Sequence, residues 1–110
     1  MTTRDEVRRI ALGLPETTEA DHFAAPSYRV KGKAFAILRE ADRVTLKLDP
    51  EDQANLVLAR PGVIEPVSGA GARVASAARQ GWTFVRYALC DEAEMARLLR
   101  LAWTGVAGRR

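Results

Sequence analysis

The fold is decided by the stretch Arg43-Val44-Thr45-Leu46-Lys47-Leu48-Asp49-Pro50-Glu51. Alternate residues of a β-strand point to opposite faces of the sheet. The valine and the two leucines therefore share one face of the predicted strand, and Lys47 lies on the other face with its polar neighbours. Asp49 is suited to cap a helix and Pro50 to occupy its first position. The stretch predicts a half-buried strand with a basic outer face that leads directly into a helix.

Short connections before this strand predict an antiparallel meander. Its three strands are expected at residues 27–30, 34–39 and 43–48, and Gly32 supplies the positive φ that the first turn needs. The middle strand leaves open which of its faces is buried. The two apolar pairs that compete for the core are Phe35 with Ile37 and Ala36 with Leu38.

The remaining pattern predicts three helices and two further strands. Thr3 and Glu6 form a capping box that opens helix one, and Pro15 ends it. Helix two runs from the Asp49 cap to about residue 59, and a second capping box at Asp91 opens a long amphipathic closing helix. Residues 63–67 fit a short edge strand and residues 81–87 the last strand. The order α-β-β-β-α-(β)-β-α predicts an α+β two-layer domain, with an antiparallel sheet and helices on one of its faces.

Three segments have no predicted regular structure in this single domain of residues 1–110. Residues 16–26 are expected to form an acidic connecting loop that contains His22, the only histidine. Residues 68–80 are expected to form a flexible loop rich in glycine and alanine, which leaves room for a small-molecule pocket beneath it. Residues 108–110 are expected to be a frayed basic tail.

The charge distribution points to a basic sheet surface. The net charge is +3, and residues 27–48 contain six basic and two acidic residues. Basic side chains on an open sheet face would contact DNA phosphates without reading sequence, and an exposed tryptophan would stack on bases. The candidate nucleic-acid-binding residues are Lys47, Arg29, Lys31, Lys33, Arg79, Trp82 and Arg86.

The residues that usually carry catalysis or hold metals are sparse. The one histidine and the one cysteine, Cys90, lie far apart in the sequence, and neither belongs to a metal-ligand cluster or a nucleophile motif. We therefore expect no enzyme activity, no cofactor and no metal. No apolar segment reaches membrane-spanning length and no signal peptide is evident, so a cytoplasmic protein without membrane contacts is expected.

Several segments, in this order and spacing, resemble the MmcQ/YjbR family of small bacterial proteins. They are Ala11-Leu12-Gly13-Leu14-Pro15, His22-Phe23, Pro26-Ser27-Tyr28-Arg29-Val30, Gly32-Lys33-Ala34-Phe35-Ala36, Val44-Thr45-Leu46-Lys47 with Pro50-Glu51, and Gly81-Trp82-Thr83. The resemblance implies a double-wing, frataxin-like fold and, through fold likeness, DNA binding. The chain departs from the family pattern in two places. It has Arg79-Gln80-Gly81-Trp82 where many members have Asn-Lys-x-His-Trp, and Trp103 where many have Ser-Tyr.

Two functions of different classes therefore stay open. The first is nucleic-acid binding through the basic sheet face. The alternative is a protein-interaction or regulatory module without nucleic-acid binding, in which the basic residues only solvate the sheet. A continuous basic strip through Lys47, Arg29 and Arg79 would favour the first function.

Overall fold

The computed structural model describes residues 1–108, which form one sheet and four α-helices. The elements are α1 Arg4–Leu12, β1 Thr18–His22, β2 Ala25–Val30, β3 Lys33–Ile37, β4 Val44–Lys47, α2 Pro50–Ala59, β5 Ile64–Pro66, α3 Ala72–Arg79, β6 Trp82–Val85, a 3₁₀ turn Tyr87–Leu89 and α4 Glu92–Ala107. None of the helices in this part of the chain is long and apolar enough to span a bilayer.

The six strands form a single antiparallel sheet in the order β1-β2-β3-β4-β6-β5. The predicted meander is present, and the strand predicted at 63–67 lies at the edge of the sheet, where its proline removes no ladder hydrogen bond. The helices α1 and α4 pack together and α4 crosses β2, β3 and β4. The α+β architecture predicted from the sequence is thereby confirmed.

The alternation in β4 divides the sheet into two faces as predicted. Val44, Leu46 and Leu48 are almost fully buried in the core beneath α1 and α4, whereas Thr45 and Lys47 are half-buried on the opposite face. We call the face that carries Thr45 the outer face. Strand β4 pairs with β3 on one side and β6 on the other, so its alternation sets that of both neighbours.

A β-bulge resolves the ambiguity of the middle strand. The pairing shifts between β2 and β3, because Tyr28 pairs with Ala36 but Arg29 pairs with Ala34. Phe35 is the extra residue, and it lies in the core together with Ala36. Both apolar pairs therefore contribute to the core, and of their four residues only Ile37 belongs to the outer face.

The predicted helix starts are confirmed by their hydrogen bonds. The hydroxyl of Thr3 accepts from the Glu6 amide while the Glu6 carboxylate accepts from the Thr3 amide. Asp49 accepts from the amide of Glu51, and Asp91 from the amide of Glu94. Each bond satisfies a donor that the helix itself leaves unpaired.

The predicted loop at 16–26 is wrong, because it contains β1 and the start of β2. The hairpin turns through Phe23 and Ala24, both with positive φ, a conformation usually supplied by glycine or asparagine. The polar composition of Thr18–His22 suits an edge strand exposed to solvent but gives no apolar alternation that a sequence reading can detect.

The predicted loop at 68–80 is also wrong, because residues 72–79 form helix α3. Its four alanines favour a helix, whereas the preceding glycines had indicated a loop. Contacts with β6 place α3 against the outer face, opposite to α1 and α4. At the other end of the chain, Gly108 ends α4, and the rest of the predicted tail, 109–110, lies outside the described residues.

The junction between β4 and β6 requires a glycine at position 81. Gly81 has a φ of +104°, and its carbonyl accepts from the Leu48 amide at 3.0 Å. A Cβ on Gly81 would lie 1.8 Å from the carbonyl oxygen of Leu48, which belongs to the backbone and cannot rotate away.

We therefore expect Gly81→Ala to lower the free energy of unfolding by about 3 kcal/mol or more, from the clash and the positive φ together. Gly105, within α4, is the matched control, since a Cβ there meets no atom within 4 Å. Gly105→Ala should stabilise the protein by about 0.5–1 kcal/mol. Urea denaturation measures the free energy of unfolding of each variant. Equal changes for the two substitutions would contradict the packing described for Gly81.

Candidate ligand-binding cleft on the outer face

The outer face of the sheet carries a row of side chains from its four central strands. Ser27 on β2 pairs with Ile37 on β3, Ile37 with Thr45 on β4, and Thr45 with Phe84 on β6. Because α1, α2 and α4 all lie toward the other face, this row is covered only at its margin, by α3. The outer face is therefore concave and partly open.

This concavity forms a cleft of about 710 Å³, which we call the outer-face cleft. Ile37, Phe84 and Trp82 of the sheet form its floor, and Val74 and Ala77 of α3 form one wall. Phe84 and Ile37 are buried even though neither belongs to the main core cluster. The cleft is thus a second apolar region, separate from the core.

Charged side chains line the margin of the outer-face cleft. Arg73 of α3 is exposed and has neither a hydrogen bond nor an ion pair with any other residue of the described range. Arg39 donates to the carbonyls of His22 and Phe23 at 2.9 and 3.1 Å. One acidic residue, Glu40, also lines the cleft, and its Oε1 is buried without a hydrogen-bond partner.

A further positive charge lies beside the floor of the outer-face cleft, on a residue that does not itself line the cleft. The guanidinium of Arg43 stacks on the Phe84 ring, 4.3 Å from the ring centre. Its Nε is buried without a hydrogen bond and lies 3.6 Å from Asp42 Oδ1. Such a cation–π contact is attractive, because the face of an aromatic ring carries partial negative charge.

A second depression adjoins the cleft, and we call it the lysine groove. Its volume is also about 710 Å³, and Lys33, Lys47, Asp49 and the last turns of α4 line it. Ala34, Gln80 and Trp82 line both depressions. Trp82 therefore stands on the boundary between an apolar site and a basic one.

Three of the predicted nucleic-acid-binding residues, Lys33, Lys47 and Trp82, come together in the lysine groove. Lys33 is exposed and has no ion pair within residues 1–108. The ammonium group of Lys47 donates to the Gln80 carbonyl at 2.7 Å, which ties β4 to the end of α3. Lys47 thus has a structural role as well as a charge directed toward the groove.

The other four predicted residues line neither depression. Arg29 donates to the hydroxyl of Ser27, and Lys31 donates to the Ala107 carbonyl at the end of α4. Arg86 forms an ion pair of 2.8 Å with Asp42. Arg79 is exposed near the end of α3, next to the groove residue Gln80.

A YjbR family model matches residues 12–104 of the chain. The chain belongs to the YjbR family. Its fold is similar to the crystal structure of Deinococcus radiodurans protein DR2400, which contains a DUF419 domain. The TM-score is 0.72 at 24% sequence identity, over 94% of this chain and 77% of that chain. No curated protein matches the chain.

The matched YjbR span includes every residue that lines the outer-face cleft and all those of the lysine groove except Gly105 and Val106. The sequence left room for a pocket beneath residues 68–80, and this segment does border the cleft, but most of the lining residues were not predicted. His22, Arg39 and Arg73 were not candidates, because the strand that positions His22 and the helix that positions Arg73 were both predicted as loops. The spacing of Val74 and Ala77, three residues apart, is typical of one face of a helix, and it could have indicated α3 and this wall of the cleft.

Cys90 and Tyr28 are among the groups whose pKa values are raised, and both lie away from the cleft. Burial, together with the nearby Glu94 carboxylate, raises the pKa of the Cys90 thiol to about 11. Burial and Glu19 raise the pKa of Tyr28 to about 12. Both groups stay protonated near neutral pH, and a protonated thiol is a poor nucleophile. Within residues 1–108, no three acidic, histidine or cysteine side chains are grouped as a metal site would require.

Proposed function

We propose that this YjbR domain binds a small organic anion in the outer-face cleft. The observation that carries the proposal is an apolar cleft bordered by Arg73, a guanidinium that no described carboxylate neutralises. The apolar part of the ligand would lie on Ile37, Phe84 and Trp82, and its anionic group would pair with Arg73.

The size and lining of the cleft support this proposal. Small-molecule sites usually occupy about 300–1,000 Å³ and combine a mainly apolar lining with a few polar groups that orient the ligand. The outer-face cleft, at about 710 Å³, falls within this range and has that composition. A ligand that covers the apolar floor removes surface from water at roughly 25 cal/mol per Å², which favours binding.

The charge balance supports an anion rather than a neutral ligand. Arg39 and Arg73 line the cleft against the single carboxylate of Glu40. The exposed Arg73 guanidinium offers a planar set of donors that matches a carboxylate, phosphate or sulfonate.

The aromatic anion 1-anilinonaphthalene-8-sulfonate is a suitable probe, because its fluorescence rises when it enters an apolar site. We expect saturable binding to the folded protein. Ala77→Phe should weaken it by about tenfold or more, which corresponds to about 1.4 kcal/mol, because the new ring fills the cleft. Ala75, on the same helix but exposed and outside the cleft, is the matched control, and Ala75→Phe should leave the affinity unchanged.

A second pair of variants on α3 tests how much the charge of Arg73 contributes to binding of the sulfonate. Arg73→Gln should weaken binding of the sulfonate, whereas Arg79→Gln, which removes another exposed arginine that lies outside the cleft, should not. Equal effects of Ala77→Phe and Ala75→Phe, in variants whose near-ultraviolet circular dichroism is native, would refute the proposed site.

A second candidate function, DNA binding without sequence preference, is favoured by a different observation. The lysine groove brings together two lysines and a tryptophan, and no carboxylate within residues 1–108 pairs with either lysine. Lysines in a groove attract phosphates, and a half-exposed tryptophan can stack on an unpaired base. The proposal narrows the predicted interface to Lys33, Lys47 and Trp82.

Fluorescence anisotropy of a labelled single-stranded oligonucleotide tests this candidate. We expect binding at about 50 mM salt that weakens steeply as salt rises, because phosphate contacts release counterions. Lys47→Gln should weaken it, whereas Lys31→Gln should not. Lys31 is the control because it also donates to a backbone carbonyl near a helix end but lies outside the groove. Absence of binding at about 50 mM salt would exclude this function.

A further inference from the structure

We infer that the ligand of the outer-face cleft carries a second anionic group, which extends past Trp82 into the lysine groove and pairs there with Lys33 and Lys47. This ligand class rests on the proposed function of the cleft. It joins the two depressions into one site, and the ligand becomes an elongated dianion with an apolar body between its charges.

The first observation is that the two depressions share part of their lining. Ala34, Gln80 and Trp82 line both the outer-face cleft and the lysine groove. Gln80 is exposed and Trp82 is half-exposed, so a ligand can contact both of them. Because Ala34 contributes only a methyl group, the boundary between the depressions is low on the β3 side. A ligand can therefore extend from one depression into the other along the outer face.

The second observation is the register between β4 and β6. Thr45 pairs with Phe84, and Lys47 pairs with Trp82. Directly opposite residues of an antiparallel pair project from the same face, with their Cβ atoms about 4.5–5.5 Å apart. Along β4, Thr45 and Lys47 are two residues apart, which corresponds to about 7 Å. Lys47 is thus the next outer-face position after the floor of the cleft.

The third observation is that both lysines of the groove can bind an anion. Lys33 is exposed and has no hydrogen bond or ion pair with any other residue of the range 1–108. Lys47 donates to the Gln80 carbonyl at 2.7 Å, which uses one of the three hydrogens of its ammonium group. Asp49 is the one acidic residue that lines the groove, and its Oδ1 accepts from the Glu51 amide at the start of α2.

The fourth observation is the length of α3, which sets the spacing between the two cationic ends of the site. Arg73 lies in the first turn of α3, and Gln80 follows its last turn. Over these seven residues an α-helix rises by about 10 Å. Because the Lys47 ammonium group contacts the Gln80 carbonyl, one anion at Arg73 and another at Lys47 are on the order of 10 Å apart. A single carboxylate or phosphate cannot contact both ends, whereas a ligand with two anionic groups can.

The position of the acidic residue of the cleft agrees with this orientation of the ligand. Lys33 is the first residue of β3, whereas Glu40 comes after the last residue of this strand. Glu40 lines only the outer-face cleft, and Lys33 lines only the lysine groove. The second anionic group is therefore favoured beyond Trp82, away from the Glu40 carboxylate.

Three naphthalene sulfonates test the ligand class by displacing 1-anilinonaphthalene-8-sulfonate at about 50 mM salt, where charges are only partly screened. Naphthalene-2,6-disulfonate has its sulfonates at the far ends of the two rings. It should bind about two- to fivefold more tightly than naphthalene-2-sulfonate, which is the gain expected from a partly exposed ion pair. Naphthalene-1,3-disulfonate has the same charge but both sulfonates on one ring, and it should not share this advantage. An equal gain for both disulfonates would show an effect of net charge alone and would overturn the inference.

A pair of lysine variants tests the residues of the groove. Lys33→Gln should remove the advantage of the 2,6-disulfonate and leave the affinity for the monosulfonate unchanged, because Lys33 lines only the groove. Lys31→Gln is the matched control, since Lys31 is also exposed, lies on the other side of Gly32 and lines neither depression. It should preserve the advantage.

Different results separate a wrong ligand class from a wrong site. The outer-face cleft stands and the dianion is refuted if Ala77→Phe weakens binding of the monosulfonate but the 2,6-disulfonate has no advantage, or keeps its advantage in Lys33→Gln. If none of the sulfonates displaces the probe, or if Ala77→Phe leaves their affinities unchanged, the cleft itself is refuted and the dianion with it.

Discussion

The structure depends on the alternation of side chains in β4. Its apolar residues fill the core beneath α1 and α4, so Thr45 and Lys47 necessarily face the other side of the sheet. Because β4 pairs with β3 and β6, its alternation also fixes which of their residues face outward, and Ile37, Thr45 and Phe84 lie in one row. A shift of one residue would exchange the two faces and leave the core leucines in water. The composition of the outer face is therefore a consequence of how the core is built.

The outer face differs from the open basic surface that the distribution of charged residues along the sequence predicts. Ile37 and Phe84 form an apolar floor there, and only the short helix α3 and the β1–β2 hairpin border it. Several of the basic residues nearby form hydrogen bonds or ion pairs within the protein. Lys31 and Lys47 donate to backbone carbonyls at helix ends, and Arg86 forms an ion pair with Asp42. Arg73 and Lys33, which have no hydrogen bond or ion pair with any other residue of the described range, line the outer-face cleft and the lysine groove respectively. Arg79 is unpaired as well, but it lies outside both depressions.

The sequence was sufficient where local chemistry and tertiary packing agree. Caps at Thr3, Asp49 and Asp91 and the faces of β4 were predictable, because each depends on neighbouring residues alone. The bulge at Phe35 was not, since it depends on which residue of β2 lies opposite. Strand β1 has no apolar alternation, and it exists because β2 offers it a pairing edge. The glycines before α3 indicate a loop, so they outweigh in the sequence pattern the alanines that favour the helix. As β1 and α3 are the two elements that border the cleft, the cleft could not be predicted from the sequence in any detail.

The most direct test of this account uses the three isoleucines of the chain as nuclear magnetic resonance probes. Ile37 lies on the floor of the outer-face cleft, Ile64 lies in the core, and Ile10 packs against the core from α1. The protein is labelled with ¹³C at its isoleucine methyl groups, and naphthalene-1-sulfonate is added in increasing amounts. The Ile37 methyl resonance should shift in a saturable manner, whereas the methyl resonances of Ile10 and Ile64 should not move. An unchanged Ile37 resonance, or equal shifts at all three residues, would contradict the account.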